Sequence, residues 1–191
     1  MSHVDPDAVA SKLFGHPEIG MNFFEEIAKL RAMRRWWAGN FKERFGCKTP
    51  ESLQYRILVG QTSGFALPAQ EVLNNITRTT IMTMAGVEGI CTNSYDEALG
   101  IPSEEAAQVA VRVQQILSEE TDIPQVTDPL GGSYYMECLT NHMEDEINKI
   151  LERMEEMGGY MKCWESGWIR GEVPQHAESA FKSNHFSELN H

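Results

Sequence analysis

The sequence has few cysteines, and none is placed to form a local metal site or a disulfide framework. Cys47, Cys91, Cys138 and Cys163 are far apart, with no C-x-x-C pair and no clustered histidine partner. The six histidines show no metal-ligand spacing either. Because unpaired cysteines are usually buried, we expect reduced thiols that lie mostly in the interior.

Long apolar segments and a targeting signal are also absent. No run reaches the roughly 18 apolar residues that a membrane helix requires. The first ten residues, MSHVDPDAVA, are polar and acidic, where a secretory signal is basic and then apolar. The sequence therefore predicts a cytoplasmic protein with no membrane partner.

Positive charge is scarce. The 191 residues carry 16 bases against 28 acids, a formal charge of −12. Nucleic acids and anionic membranes attract basic surfaces, so neither is an expected partner. The length and the 41% of hydrophobic residues are enough for one domain with a core.

What the sequence does contain is an alternation of short β-rich runs and amphipathic helices. Helices are predicted over 21–45, 68–86, 103–120 and 135–157, strands over 55–60 and 89–92, and an extended piece over 123–126. Short helices over 161–166 and 174–181 and a polar tail over 182–191 follow Gly158-Gly159. This order predicts an α/β fold with about three parallel strands, long flanking helices and a helix-rich C-terminal part.

A parallel sheet of this size is not closed. A complete (β/α)₈ barrel needs around 250 residues and eight strands. Three strands leave hydrophobic edges that proteins normally pair or cover. We therefore expect the chain either to complete the sheet of another chain or to self-associate.

Several motifs, in order along the chain, resemble the cobalamin-dependent acyl-CoA mutases, the methylmalonyl-CoA mutase-like family. They are the stretch 22–32, Gln61-Thr62-Ser63-Gly64, Ala69-Gln70, Asn74-Asn75, Arg78-Thr79, the stretch 92–99, Asp128-Pro129 and the stretch 131–135. Each motif alone is weak evidence, whereas the ordered set indicates homology.

The resemblance implies a partial barrel. In this family an acyl-CoA threads a (β/α)₈ barrel, and homolysis of the cobalt–carbon bond of adenosylcobalamin starts a radical rearrangement. The chain resembles only the later barrel strands, over 1–157, followed by short helices and a polar tail over 158–191. The family's catalytic Tyr and His lie in the earlier half, so no catalytic residue is assigned.

The resemblance also implies companion chains. The cobalt-ligating motif Asp-x-His-x-x-G does not occur in this sequence. Adenosylcobalamin, if used, is then held mainly by another chain. Expected partners are chains that carry the early barrel half and the cobalamin domain, together with an acyl-CoA.

Candidate acyl-CoA-binding residues follow from the same resemblance. They are Lys12, Leu13 and Phe14 in place of an Arg-Leu-Ser that contacts CoA, Gln61, Thr62 and Ser63 at a strand end, Cys91 in place of a His, and Gln114. Lys keeps the positive charge of Arg but loses its planar fork, and Phe loses the hydroxyl of Ser.

Other features favour a less active protein. Val59 stands where the family has His, and Gly89–Asn93 is about four residues shorter than the family's Gly-x-Thr-Gln-Ser-Leu-His-Thr-Asn. Gln61–Gly64 is also compatible with a helix-capping turn, Lys12 with a solvated charge and Cys91 with a small apolar filler. A non-catalytic acyl-CoA-binding or scaffold relative and a homodimer with paired sheet edges therefore stay open.

The predicted helix over 21–45 is unusually basic. It carries six of the sixteen positive charges: Lys29, Arg31, Arg34, Arg35, Lys42 and Arg44. A solvated face paired with Glu25, Glu26 and Glu43 is the favoured interpretation, and nucleotide binding is the alternative. Trp36 and Trp37 cannot share one helical face, so one is expected in the core and the other on a contact surface.

Overall fold

The structure is a computed structural model that describes residues 4–61 and 72–172. Two compact units divide between Glu144 and Asp145. The helices are α1 (Pro6–Ala10), α2 (Phe23–Glu43), α3 (Pro50–Leu53), α4 (Val72–Met84), α5 (Glu104–Glu119), α6 (Tyr134–Glu156) and α7 (Tyr160–Glu165). The strands are β1 (Phe14–Gly15), β2 (Glu18–Ile19), β3 (Arg56–Gln61) and β4 (Gly89–Cys91). The predicted helix at 174–181 and the tail lie outside the described residues.

All strand pairs are parallel, and β3 is central. β1 pairs with the first half of β3 and β2 with its second half, in one continuous register, while β4 pairs on the other side. β1 and β2 are thus one strand interrupted at His16-Pro17, where proline has no N–H for the ladder. Four short strands occupy three positions, which confirms the predicted parallel α/β sheet.

The two faces of this sheet differ. Ile57 and Val59 of β3 are fully buried against α2 and α4, where Ile27, Leu30, Ile81 and Met82 are also fully buried. We call this the covered face. Neighbouring strand residues in register point the same way, so Phe14, Arg56, Leu58 and Cys91 share the opposite side, the open face. There Phe14 is 62% exposed and Leu58 is 40% exposed.

A second small core joins the N-terminal segment to α2. Ala10, Trp37 and Cys47 are buried together, and the Trp37 ring stacks on Phe41 and Tyr55. Trp37 Nε1 donates a hydrogen bond of 3.0 Å to the Ser52 carbonyl oxygen. Trp37 is therefore the core tryptophan, as predicted for one of the pair, and Trp36 is half-buried at the edge of the same cluster.

The six basic residues of this segment form the predicted solvated face only in part, because Arg35, Lys42 and Arg44 are exposed. Lys29 pairs within the helix with Glu26, as expected for such a face. Arg31 pairs with Glu137 at 2.6 Å, and Arg34 donates hydrogen bonds to the carbonyl oxygens that follow α4. Burial of Arg34 lowers its pKa. These cations hold α2 to other elements, and sequence spacing alone cannot show such distant partners.

Three smaller predictions were wrong. The segment predicted as extended over 123–126 is a 3₁₀ turn, Ile123–Gln125, because Pro124 favours a tight turn and Gln125 N–H bonds to the Asp122 carbonyl oxygen. The helical spacing over 103–120 also predicts Ile116 on the apolar face of α5, whereas Ile116 is 47% exposed. Only two of the four cysteines are buried, whereas Cys91 and Cys138 are exposed.

The second unit contains the end of α6 and α7. Cys163 is buried, the Tyr160 ring stacks on Trp164, and Arg153 lies over the Trp168 ring and pairs with Glu172 at 3.2 Å. None of the described helices has both the length and the apolar character needed to cross a membrane.

Candidate functional site

The first group of predicted site residues lies at the amino end of the strands. Lys12 and Leu13 precede β1, and Phe14 begins it in register with Arg56 at the start of β3. These residues line a cavity of about 280 Å³. The structure therefore brings Lys12, Leu13 and Phe14 together on the open face.

Sequence reasoning missed two charged residues of this cavity, Arg56 and Glu88. The Glu88 carboxylate accepts hydrogen bonds from the Ile57 backbone N–H at 2.8 Å and from Gln54 Nε2 at 3.3 Å. The signal for Arg56 is its place at the start of a strand. The position of Arg56 beside Phe14 could not be predicted, because β1 is two residues long and gives no alternating pattern.

The second group lies at the carboxyl end of the strands, where parallel barrels place their chemistry. β3 ends at Gln61 and β4 at Cys91, whose register partner is Gly60. The Cys91 thiol is exposed and lies 3.9 Å from Asn93 Oδ1. Thr62 and Ser63 lie outside the described residues.

Gln114 takes part in a hydrogen-bond network behind the end of β4. Its Nε2 donates to Thr92 Oγ1 at 2.9 Å, and Thr92 Oγ1 lies 3.3 Å from the hydroxyl of the fully buried Thr79. Asn75 Nδ2 donates to the Asn93 carbonyl oxygen at 2.7 Å. The network joins α4, β4 and α5, so Gln114 has a structural role as well as its candidate binding role.

The motifs themselves carried a signal for this network. Asn75, Thr79, Thr92 and Asn93 all belong to the ordered motifs that define the resemblance, although none was selected as a site residue. Their buried hydrogen bonds give a physical reason for polar residues at these positions, since an unpaired buried polar group is costly.

The loop after β4 is held by Asp96. Its carboxylate accepts a hydrogen bond of 2.9 Å from the Ser103 backbone N–H, which is the main reason that its pKa is lowered. Ser103 Oγ in turn accepts from Ala106 N–H at 3.2 Å and caps α5. The start of α5 is thereby fixed relative to the carboxyl edge of the sheet.

The predicted site residues thus form two groups, one at each end of the strands, about 16 Å apart from Arg56 to Gln61 at the rise of a β-strand. Between them, the His16 ring lies over Gly60, 2.9 Å from where a Cβ at that glycine would stand. Val59, in contrast, is on the covered face. The replacement of the family's His at position 59 therefore changes the helix-facing side of β3 and not the open face.

The described residues do not form a metal site of their own. Within 4–61 and 72–172, no group of three His, Cys, Asp or Glu side chains is placed to hold a metal ion. The sequence also has no Asp-x-His-x-x-G motif to ligate cobalt.

A central parallel strand with parallel neighbours on both sides, helices on one face and polar groups at both strand ends defines a segment of a parallel (β/α) barrel. The family model described as methylmalonyl-CoA mutase matches residues 1–188, and the chain belongs to this family.

Individual relatives agree with the family model. The chain is 43% identical over 160 residues to the large subunit of 2-hydroxyisobutanoyl-CoA mutase of Aquincola tertiaricarbonis, covering 82% of this chain and 28% of that protein. It is 47% identical over 165 residues to human mitochondrial methylmalonyl-CoA mutase, covering 84% and 22%. The match to the methylmalonyl-CoA mutase large subunit of Porphyromonas gingivalis is 42% over 168 residues, covering 86% and 23%.

The chain therefore spans about a quarter of the length of the curated relatives that it matches. These relatives are mutases, an isomerase class, which supports the enzyme class of this chain by resemblance.

Proposed function

We propose that this chain supplies the later barrel strands of an adenosylcobalamin-dependent acyl-CoA mutase in the cytoplasm and is inactive alone. Companion chains carry the early barrel half, with its catalytic Tyr and His, and the cobalamin domain. Bound adenosylcobalamin supplies the radical that starts the carbon-skeleton rearrangement.

The open face of β3 is the observation that carries this proposal. Leu58 of β3 is exposed there together with Phe14 of β1 and Cys91 of β4. On the other side of β3, Ile57 and Val59 are fully buried. Parallel strands are normally covered on both faces, because their connections place helices or barrel interior against them. An open face on the side away from the helices is the geometry of a barrel wall without its other strands.

The two groups of site residues suit one elongated ligand. An acyl-CoA carries phosphates at one end and a reactive thioester at the other. Lys12 at the amino end of the sheet supplies a positive charge for the phosphate end. Gln61 and Cys91 are the last residues of β3 and β4, and Thr62 and Ser63 come next after Gln61 in the sequence. The polar groups of these four residues would orient the acyl group and exclude water.

Two of the relatives are named large subunits, and this supports an assembly of more than one chain. The role of the chain is then to bind and orient the acyl-CoA in a barrel whose reactive parts lie on its partners.

Co-purification tests the assembly. The chain is mixed with a candidate companion that carries the early barrel half and the cobalamin motif, and the complex is isolated. Leu58→Glu, on the open face, is expected to abolish the complex by placing an unpaired charge inside the barrel. Val111→Glu, on an exposed residue of α5, is the matched control and is expected to leave it intact.

The complex is also assayed for isomerisation of methylmalonyl-CoA with adenosylcobalamin added. The proposal expects activity from the mixture and none from the chain alone. Failure of the folded chains to associate, with no activity in the mixture, would contradict it.

A non-catalytic acyl-CoA-binding or scaffold relative is the second candidate function. It is favoured by the shortness of β4, three residues long, which removes part of the carboxyl edge, and by the bulky Phe14 on the open face. Micromolar binding of methylmalonyl-CoA by the isolated chain, without activity in any mixture, would favour this candidate. If the chain instead forms a homodimer by pairing its sheet edges, we expect twice the monomer mass in solution and no acyl-CoA binding.

A further inference from the structure

We infer that His16 and Glu18 select the acyl group of the ligand, by binding a hydroxyl group at the carboxyl end of the open face. The inference rests on the proposed function and extends it, because the resemblance assigns a role to neither residue. The ligand class is an acyl-CoA whose acyl group carries an uncharged hydroxyl, in preference to one that carries a carboxylate or no polar group.

The first argument is the place of the His16 ring, at the interruption between β1 and β2. Val59 points to the covered face, so the next residue, Gly60, faces the open side. A Cβ at Gly60 would stand 2.9 Å from His16 Cε1, and Gly60 is buried although it faces the open side. The His16 ring therefore packs over the gap that the glycine leaves, and a side chain at position 60 would displace it.

The second argument is that two more side chains flank the same glycine. Glu18 of β2 and Cys91 of β4 are the register partners of Gly60 on its two sides, and both are exposed. Since Ile19 is fully buried, Glu18 before it points to the open face. Neighbouring strands lie about 4.8 Å apart, so the His16 ring lies within about 8 Å of the Cβ atoms of Glu18 and Cys91. One small polar group of a ligand can therefore lie among all three side chains.

The third argument is that the polar atoms of these side chains are not used within the described part of the chain. Within 4–61 and 72–172, neither the His16 nor the Glu18 side chain forms a hydrogen bond or an ion pair. The backbone of Glu18 is fixed, because its carbonyl oxygen accepts a hydrogen bond of 2.9 Å from Lys29 Nζ. The side chains around Gly60 are not arranged as a metal site either. Their partner is then a ligand group that forms hydrogen bonds.

The chemistry of the two side chains favours a hydroxyl as that group. The Glu18 carboxylate only accepts hydrogen bonds, whereas a neutral His16 imidazole carries one N–H donor. A hydroxyl can donate to Glu18 and accept from His16 at the same time. A ligand carboxylate in the same place would be repelled by Glu18, and an unsubstituted acyl group would leave both side chains unpaired.

His16 also supplies an imidazole that other positions do not. Position 59, where the family has His, carries Val and faces the covered side. The segment Gly89–Asn93 is shorter than the polar segment of the family. Within the described ranges, His16 is thus the histidine that lies on the open face at the carboxyl end of the strands.

Calorimetric titration of the full chain with 3-hydroxybutyryl-CoA, butyryl-CoA and methylmalonyl-CoA tests the inference. The first two ligands differ by one hydroxyl, and the wild-type chain is expected to bind the hydroxylated one about tenfold more tightly. His16→Phe should remove most of this preference. Glu18→Gln should strengthen methylmalonyl-CoA binding severalfold, because it removes a like charge. His142→Phe and Glu51→Gln, on exposed residues of α6 and α3, are the matched controls and should change neither result.

Gly60→Ala tests the place of the ring without removing a polar group. The added Cβ would displace the His16 ring, so the preference for 3-hydroxybutyryl-CoA over butyryl-CoA should fall. A methyl group that merely blocked the site would weaken both ligands equally and leave their ratio unchanged. Gly39→Ala is the control, because a Cβ at Gly39 meets nothing within 4 Å.

Three results would overturn the inference. Equal affinities of the wild-type chain for 3-hydroxybutyryl-CoA and butyryl-CoA would remove the hydroxyl site while leaving the proposed mutase function standing. Equal losses of preference in His16→Phe and His142→Phe would show that His16 has no particular role. If the folded chain bound none of the three ligands, the inference would fail, and the co-purification assay would judge the proposed function separately.

Discussion

Residues along β3 point alternately to the covered face and to the open face, and the two sets of side chains have different surroundings. Ile57 and Val59 are fully buried against α2 and α4, whereas Leu58 between them is 40% exposed. Substitutions on the covered face therefore act on the stability of the fold. Substitutions on the open face should affect the stability of the fold much less, because little of the chain's own structure depends on those side chains.

The largest expected effect is on the covered face. Ile57→Ala removes fully buried methylene and methyl groups and leaves a cavity, so it should lower the free energy of unfolding by about 2–5 kcal/mol. Leu58→Ala, one residue away on the open face, should cost under about 1 kcal/mol. Urea unfolding followed by circular dichroism measures both variants, and equal losses would contradict the division into two faces.

Restoring the family's histidine at position 59 sharpens the same comparison. Val59→His places a larger polar ring among fully buried apolar side chains, so we expect a loss of about 3 kcal/mol. The stability of this variant is measured in parallel with CoA binding. A stable Val59→His variant with enhanced CoA affinity would show that position 59 belongs to the binding surface instead.

Two arginines allow a comparison of a charge paired with a distant carboxylate and an exposed charge. Arg31 holds α2 to the start of α6, and its hydrogen bond is one cause of the lowered pKa of Glu137, after that of the Gly132 N–H. Arg31→Met should cost about 2 kcal/mol, since a hydrogen bond to a charged group is lost. Arg56→Gln should change stability by less than about 0.5 kcal/mol. Thermal unfolding of both variants tells the two kinds of arginine apart.

Gln114 combines a structural hydrogen bond with a candidate binding role. Its bond to Thr92 predicts that Gln114→Ala lowers stability by about 1 kcal/mol. The exposed Gln115, next in the chain, provides the control in Gln115→Ala. If Gln114→Ala reduced acyl-CoA affinity with no change in stability, the role of this residue would be binding alone.

The last prediction concerns stability at low pH, and it depends on the N-terminal segment rather than on either face of the sheet. Asp7 accepts hydrogen bonds from Ser52, Thr49 and Lys48, chiefly Ser52, and these lower its pKa from 3.8 to about 2. Its carboxylate therefore stabilises the fold above pH 3.8, and this contribution is lost as the pH falls toward 2.

Asp7→Asn should remove that part of the acid dependence, as measured by unfolding from pH 6 down to pH 2. Asp122→Asn serves as the control, because the side chain of Asp122 makes no capping hydrogen bond. An unchanged acid profile in Asp7→Asn would show that other carboxylates govern acid unfolding.

The long elements were predictable because each is amphipathic along its own length. The predicted helices over 21–45, 103–120 and 135–157 differ by no more than two residues at each end from α2, α5 and α6, and the strands over 55–60 and 89–92 differ by one from β3 and β4. The ordered motifs were enough for the family, which the family model confirms over residues 1–188.

Other features depend on residues far apart in the chain. β1 and β2 are too short to give a pattern, so the register that places Phe14 beside Arg56 appears only in the folded sheet. The ion pair of Arg31 with Glu137 joins two helices that no local rule connects.

Local periodicity and motif order were thus sufficient for the secondary structure and the family of this chain, because both are encoded over short stretches. Packing decided which side of β3 is covered, which distant groups Arg31 and Arg34 contact, and how the candidate site divides into two ends. Burial and hydrogen bonding are properties of neighbours in space, and those neighbours are assembled only when the strands and helices come together.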